Sequence, residues 1–285
     1  MNNSTAIFTT PEVFSDSMTP FIGLSESVQI CVYGFGLLFG LPTQFYVVWL
    51  IVTESGTIPP SEFFSLNLSV CEIVNFLNCL LFILTYLFSS FLKIAHSISG
   101  LGITGRPLFE CLMCVERYLA VVHPVTFLKF KPLRYRVIFA AAAWIISLGS
   151  CIACRFLGGS QNFTGHSWFF SVQFLVFLSI QLSCCLAVLR ALKRSGPGER
   201  GREREEENHM KRRAFHLILI TTVNMIIIYV PIIVTGVIVI LIQKNIQAVW
   251  IPSNICYVMA GFVQPVLYLH RAGKLSRLCP NMCIC

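Results

Sequence analysis

Two residues of opposite charge, Glu72 and Arg106, stand inside long apolar runs of the sequence. Arg106 comes eleven residues before Arg117, near the end of its run, so a helix that rises 1.5 Å per residue places it about 16 Å deep in a bilayer. Glu72 comes ten residues after Glu62, where its own run begins, which gives a depth of about 15 Å. Because a lone charge at the bilayer centre costs about 3 kcal/mol or more, we expect Glu72 and Arg106 to face each other and pair.

The elements that position these charges are apolar segments long enough to cross a membrane. Hydrophobic residues make up 55% of the 285 residues, charged residues make up only 12%, and the mean hydropathy is +0.74, values too apolar for a soluble domain. We predict an all-α membrane protein, a seven-transmembrane helix bundle with no room for a second folded domain. The predicted spans are 28–52, 62–88, 94–122, 135–155, 167–191, 213–242 and 247–269.

The positive charges predict the orientation of the chain. If the N-terminus lies outside, 17 of the 21 Lys and Arg residues fall in predicted cytoplasmic segments, as positive charges tend to do in membrane proteins. The chain then divides into an extracellular tail at 1–27, a membrane domain at 28–269 and a cytoplasmic segment at 270–285. We expect a flexible inner loop at 192–212, and a charged extension of the sixth helix is the alternative for its second half.

Two sets of residues indicate modification at the membrane faces. Asn-x-Ser/Thr sequons on predicted extracellular segments favour N-glycosylation, and they begin at Asn2, Asn3 and Asn162. The segment after the seventh span favours a short amphipathic helix held on the inner leaflet by palmitoyl chains on Cys279, Cys283 and Cys285. We therefore expect a multi-pass protein of the plasma membrane, with its N-terminus extracellular and its C-terminus cytoplasmic.

The string Glu116, Arg117 and Tyr118 stands at the inner end of the third span. By itself it could be a helix-end arginine that extends its charge toward water. Landmarks in the other spans are Asn67-Leu68-Ser69-Val70-Cys71-Glu72, Trp144, Pro231 and Gln264-Pro265-Val266-Leu267-Tyr268. In this order and spacing the set resembles the rhodopsin-like (class A) G-protein-coupled receptor family, and the chain is identified as a divergent member of it.

The resemblance implies a signalling role for the third helix. In the family the acidic residue, here Glu116, pairs with the arginine at rest, and the released arginine, here Arg117, lines the cavity that accepts the terminal helix of a G protein. It also implies an activation core at Gln44, Glu72, Arg106, Tyr229, Pro231, Gln264, Pro265 and Tyr268. Several of these depart from the family pattern, since the usual residues are Asn at 44 and 264, Asp at 72 and Trp at 229.

In the family, the positions of Glu72 and Arg106 belong to a polar pocket that holds a sodium ion, with a small hydroxyl residue usual at the second position. We hypothesise that the Arg106 guanidinium takes the place of this sodium, paired with Glu72 and hydrogen-bonded to Gln44 or Gln264. The alternative is a purely structural buried pair.

The outer half of the bundle offers a mixed set of polar residues for a ligand. We take His96, Ser99, Gln173 and Tyr257 as ligand-binding candidates. Since no charged cluster favours one chemistry, the predicted ligand is an unidentified small molecule, lipid or peptide. Other expected partners are a heterotrimeric G protein and membrane lipid, with no nucleic acid.

Other functions remain as alternatives. The sequence has no His-Glu-x-x-His motif, and its Cys-x-x-Cys pairs at 111–114 and 151–154 lie on apolar helices, where Cys packs as a small hydrophobe. We therefore expect no enzyme activity, catalytic residue, metal or cofactor. A seven-helix receptor that binds ligand without signalling is one alternative. A transporter or channel is another, based only on Arg106 and Glu72, and the chain lacks the internal repeats of many transporters.

Overall fold

The computed structural model describes residues 23–53, 62–130, 133–159, 163–194, 202–242 and 247–271. These residues form helices and short helical turns, and none of them lies in a β-strand. In chain order the helices are α1 (Leu24–Phe35), α2 (Leu41–Thr53), α3 (Phe63–Thr85), α4 (Leu92–Val122), α5 (Pro124–Phe130), α6 (Leu133–Gly159), α7 (Phe163–Arg194), α8 (Arg202–Ile242), α9 (Ile251–Ala260) and α10 (Val263–Arg271).

Six helical segments are long and apolar enough to cross a membrane, and they coincide with the first six predicted spans. They are Leu24–Thr53, Phe63–Thr85, Ser89–Val122, Leu133–Phe156, Trp168–Ala191 and Ala214–Ile242. The seventh predicted span is divided between α9 and α10, which are separated by Gly261 and Phe262. The structure thus confirms an all-α, seven-span bundle, while the predicted amphipathic helix at 270–285 lies almost entirely outside the described residues.

The first span contains one irregular turn. A π-helical segment, Gly36–Gly40, joins α1 to α2 just before Pro42. Proline has no N–H to donate to the carbonyl four residues earlier, and one wide turn is a common way to accommodate such a gap. Gly40 lies against the ring of Phe76, so this turn also brings the first span close to α3.

The third span, α4, is the centre of the bundle and contacts α3, α6, α7 and α8. Small residues allow the close approach of these helices. A Cβ atom added at Gly105 would lie 2.8 Å from the Sγ of Cys71 on α3, and one added at Gly100 would lie 2.8 Å from the carbonyl oxygen of Ser150 on α6. α4 therefore packs closely against α3 and α6 at these glycines.

The inner loop between the fifth and sixth spans differs from its prediction. α7 continues to Arg194 and α8 begins at Arg202, so both ends of the segment predicted to be flexible, 192–212, are helical. The second half of this segment is a charged extension of α8, which is the alternative that the sequence left open. Residues 195–201 lie outside the described part of the chain.

Candidate functional site

The centre of the bundle contains the ion pair predicted from sequence depth. Glu72 on α3 and Arg106 on α4 are each only 2% exposed. The guanidinium meets the carboxylate in a two-pronged arrangement: Nη2 donates to Oε2 at 2.6 Å and Nε donates to Oε1. A bidentate pair of this kind is the strongest form of charge-assisted hydrogen bond. The predicted pairing is confirmed.

The remaining donor of Arg106 bonds the backbone of the seventh span. Its Nη1 donates to the carbonyl oxygen of Tyr257 at 2.9 Å, and the Tyr257 ring lies 4.6 Å from the guanidinium carbon. This carbonyl is available because the N–H of Gly261 bonds the carbonyl of Val258 at 3.2 Å instead of completing the regular helical bond. Arg106 therefore joins α3, α4 and α9 at one point.

The glutamines expected to bond Arg106 bond other groups. Gln44 Nε2 donates to the carbonyl oxygen of Gly261 at 3.1 Å. That carbonyl lacks its regular helical partner because the residue four positions later is Pro265, which has no N–H. Gln264 Nε2 donates to the Ser65 carbonyl at 3.0 Å and to Ser69 Oγ at 2.9 Å. The amide oxygens of both glutamines have no hydrogen-bond partner, so neither one accepts from Arg106.

Tyr229, which stands where the family usually has Trp, bonds a further unpaired carbonyl. Pro107 lies inside α4 and cannot donate to the carbonyl of Ile103, which is four residues earlier. The Tyr229 hydroxyl on α8 donates to this oxygen, and its ring stacks on Phe174 with the centroids 5.3 Å apart. In a membrane interior, neighbouring helices must satisfy the backbone groups that prolines leave unpaired.

We expect Tyr229→Phe to lower the free energy of unfolding by about 1 to 2 kcal/mol, because the variant keeps the stacked ring and leaves the buried Ile103 carbonyl unsatisfied. The measurement is thermal unfolding of the purified protein in detergent. Tyr46→Phe is the matched control, since Tyr46 is 36% exposed on the outside of the bundle. Equal melting temperatures for the two variants would contradict this role of the Tyr229 hydroxyl.

The end of the bundle at Arg117, here called the inner end, holds the Glu116, Arg117 and Tyr118 string. Glu116 Oε1 forms an ion pair with Arg136 Nη2 on α6 at 2.8 Å. The Tyr118 hydroxyl lies 3.1 Å from His123 Nε2. Arg117 lines a cavity shared by α3, α4, α8 and α10. No pattern in the sequence indicated Arg136 as the partner of Glu116.

Tyr268, on the seventh span, lies at the same inner end of the bundle. Its side chain lines the Arg117 cavity, and its hydroxyl donates to Glu62 Oε2 at 2.9 Å at the start of α3. Pro231 lies inside α8, one turn before Thr235, whose hydroxyl is 2.8 Å from the Ser253 hydroxyl on α9. Of the predicted activation-core residues, Tyr268 therefore lies beside Arg117, and Pro231 lies one turn from a contact between α8 and α9.

The four ligand candidates have different surroundings. Ser99 donates to the His96 carbonyl within α4 at 2.7 Å, and the His96 ring meets Phe82 edge-on. Gln173 on α7 accepts a hydrogen bond from Thr104 at 3.0 Å. Tyr257 belongs to the ion-pair cluster, where its hydroxyl donates to Asn75 Oδ1 at 2.6 Å. These candidates stay a prediction, and the modification sites at Asn2, Asn3, Asn162, Cys279, Cys283 and Cys285 lie outside the described residues.

A family model described as 7 transmembrane receptor (rhodopsin family) matches residues 44–169, which include Gln44, the ion pair and the Glu116, Arg117 and Tyr118 string. Over this segment, 126 of the 285 residues, the chain is similar to the rhodopsin family of receptors. Its landmarks in the later spans, including Tyr229 and Gln264, lie beyond the matched segment.

Known receptors of this family are distant relatives. Human (Homo sapiens) chemokine XC receptor 1 is 28% identical over 199 residues, which cover 64% of this chain and 58% of that receptor. The mouse (Mus musculus) form is 25% identical over 197 residues, which cover 64% of this chain and 61% of that receptor. Rat (Rattus norvegicus) hydroxycarboxylic acid receptor 2 is 23% identical over 224 residues, which cover 70% of this chain and 59% of that receptor. The chain spans about three fifths of the length of each of these relatives.

Two buried polar residues of the bundle were not among the predicted site residues. Glu110 on α4 and Asn224 on α8 are 4% and 5% exposed, and Asn224 Nδ2 donates to Glu110 Oε1 at 3.1 Å. The signal for Glu110 is present in the sequence, because it is a carboxylate inside an apolar run one helical turn after Arg106. Asn224 gives no comparable signal, since polar amides are tolerated on either face of such a helix.

Proposed function

We propose that the chain is a cell-surface receptor that transmits the binding of an extracellular ligand to heterotrimeric G proteins through Glu116, Arg117 and Tyr118. The observation that carries this proposal is the position of Arg117, which lines the inner cavity together with Thr221 of α8 and Tyr268 of α10. Arginine suits the task because its charge is permanent and its planar fork of donors can bond several backbone carbonyls. The C-terminal end of an inserted helix presents such carbonyls.

The ion pair between Glu116 and Arg136 supports the same assignment. It joins the carboxylate next to Arg117 to α6. Glu116 then has a partner on another helix whether or not Arg117 engages a G protein. In the family the acidic residue is usually the resting partner of the arginine, and here Arg136 is a further partner of Glu116.

Tyr257 is the ligand candidate through which the outer half of the bundle could act on the core. Its ring and its backbone carbonyl both contact Arg106, and the α9–α10 break follows within four residues. A ligand that shifts Tyr257 would change a hydrogen bond of the buried ion pair. We propose that the activation core, including Gln44, Gln264 and Tyr268, transmits this change along the seventh span to the Arg117 cavity.

The ligand itself is left as a small molecule, lipid or peptide. The names of the relatives cover different chemistries, since they include chemokine receptors, hydroxycarboxylic acid receptor 2 and the uracil nucleotide/cysteinyl leukotriene receptor. Plasma-membrane location, an extracellular N-terminus and a cytoplasmic C-terminus follow from the same proposal. The bias of Lys and Arg toward the predicted cytoplasmic segments supports this orientation.

The test is signalling by the intact receptor in cells that express a panel of chimeric G proteins. We expect basal signalling above the level of cells without receptor for at least one chimera, and we expect Arg117→Ala to reduce it to that level. Arg134→Ala is the matched control, because Arg134 is exposed at the start of α6. Surface expression of each variant is measured by an N-terminal epitope on intact cells.

A receptor that binds ligand without signalling is the second candidate. The observation that favours it is the rebuilt core, in which Tyr229 and Gln264 replace the usual Trp and Asn. If wild type and Arg117→Ala give the same signal with every chimera at equal surface expression, this second function replaces the first.

A further inference from the structure

The inner cavity is lined by a carboxyl group that the site described above does not explain. The cavity has a volume of about 40 Å³ and lies between α3, α4, α8 and α10. Its polar lining consists of Ser65, Glu110, Arg117, Thr221, Gln264 and Tyr268. Glu110 is the carboxylate in this lining, and no site residue predicted from the sequence accounts for it.

Two acceptor oxygens in this lining have no hydrogen-bond partner. Glu110 Oε1 accepts from Asn224 Nδ2, but Glu110 Oε2 is buried with no partner. Gln264 uses its Nε2 donor on α3, and its Oε1 is likewise buried with no partner. Buried acceptors without donors are costly, so such a pair around one cavity indicates a missing donor or a missing positive charge.

The charges of the buried core show which of these is missing. Glu72 and Arg106 neutralise each other through two hydrogen bonds, which leaves the charge of Glu110 unmatched one turn away. An unpaired carboxylate at this depth is expensive, and a neutral water would not offset its charge. The carboxylate therefore needs either a cation in the cavity or a proton of its own.

We propose that this cavity, here called the Glu110 site, binds a single small cation between Glu110 Oε2 and Gln264 Oε1. A water molecule needs about 10 to 15 Å³ of such space, so a cavity of about 40 Å³ holds one small ion with one or two waters. Na⁺ supplies this charge, whereas a proton on Glu110 would neutralise the carboxylate without any cation in the cavity. The site is distinct from the Glu72–Arg106 pair, where the guanidinium already occupies both carboxylate oxygens.

Arg117 is the competing counterion. It lies seven residues after Glu110, which is about 10 Å along the helix axis, and its side chain lines the same cavity. The other titratable or charged groups around Glu110 are Glu72 on α3, Arg106, Cys111 and Cys114 on α4, Cys184 on α7, Tyr229 on α8 and Tyr268 on α10. Apart from Arg106, which is already paired, Arg117 is the one positive charge in this set.

The test is the melting temperature of the full-length receptor purified in detergent, with NaCl compared with N-methylglucamine chloride at equal ionic strength, near pH 6 and near pH 8. If Na⁺ fills the site, it raises the melting temperature by about 5 °C at a concentration near 100 times Kd. If a proton on Glu110 neutralises the carboxylate instead, the lower pH raises the melting temperature equally in either salt, and the cation site is overturned. In both cases Glu110→Gln removes the dependence of the melting temperature on Na⁺ or pH. The amide oxygen of the new glutamine can still accept the hydrogen bond from Asn224.

Glu26→Gln is the matched control, because it makes the same chemical change in the first turn of α1 and should keep the wild-type response. A wild-type melting temperature that depends on neither Na⁺ nor pH would overturn the Glu110 site and assign its charge to Arg117. A dependence that persists in Glu110→Gln would also overturn it. The measurement needs no ligand and no G protein, so its failure is separate from failure of the proposed signalling function.

Discussion

Replacement of Arg106 by serine is expected to lower the free energy of unfolding by about 3 to 5 kcal/mol, the usual effect of removing one partner from a buried ion pair. The Glu72 carboxylate stays 2% exposed and loses both of its Arg106 hydrogen bonds, and the Tyr257 carbonyl loses its donor. Thermal unfolding in detergent and surface expression in cells both measure this loss. Unchanged values of both would mean that the pair contributes little to the fold.

The same variant tests whether the guanidinium takes the place of a sodium ion. Arg106→Ser leaves space and an unpaired carboxylate at Glu72, so added Na⁺ should raise the melting temperature of this variant. The measurement uses a Glu110→Gln background, so that the Glu110 site makes no contribution. The control is Glu72→Gln combined with Arg106→Ser, which has no buried carboxylate at this position and should show no response to Na⁺. An equal response with and without Glu72 would contradict the idea that the guanidinium replaces sodium.

The fold could be predicted almost completely from apolar length. Each predicted span begins and ends within a few residues of a helix, apart from the sixth, which begins eleven residues earlier at Arg202. The Glu72–Arg106 pair was also within reach, because depth follows from a fixed rise per residue. The length of an apolar run and the depth of a residue within it depend on one helix only, so both can be read from the sequence.

The partners of the unpaired carbonyls could not be predicted in the same way. They depend on where a helix departs from regular hydrogen bonding and on how its neighbours are rotated. Pro265 shows that the Gly261 carbonyl lacks a helical donor, but nothing in the sequence says that Gln44, 217 residues earlier, supplies one. For this reason the prediction that a glutamine bonds Arg106 was wrong.

Three of the residues that depart from the family pattern share a physical role. Gln44, Arg106 and Tyr229 lie on three different spans, and each donates to a backbone carbonyl at an irregular point of a neighbouring helix. Each side chain is long enough to reach a neighbouring backbone. The departures are therefore consistent with one another, since together they complete a hydrogen-bonded core around the third and seventh spans.

Gly102→Ala is expected to lower the free energy of unfolding by about 3 kcal/mol, because the added methyl group has no space. A Cβ atom at Gly102 would lie 2.5 Å from Asn75 Oδ1 and closer still to the Tyr257 hydroxyl oxygen. These two atoms share a hydrogen bond of 2.6 Å, and the Tyr257 ring lies against Arg106. The methyl group therefore cannot be accommodated without moving the ring away from the ion pair.

Gly149→Ala is the matched control, because a Cβ atom at Gly149 in α6 would have no neighbour within 4 Å. Alanine has the higher helix propensity, so this variant should be more stable than wild type by about 0.5 to 1 kcal/mol. The two variants make the same chemical change in two helices of one bundle, and the expected changes have opposite signs. If both variants lost stability by a similar amount, the cause would be the change in the helix backbone and not the lack of space beside Tyr257. In that case the close contact between α4 and α9 would not be what holds Tyr257 against Arg106.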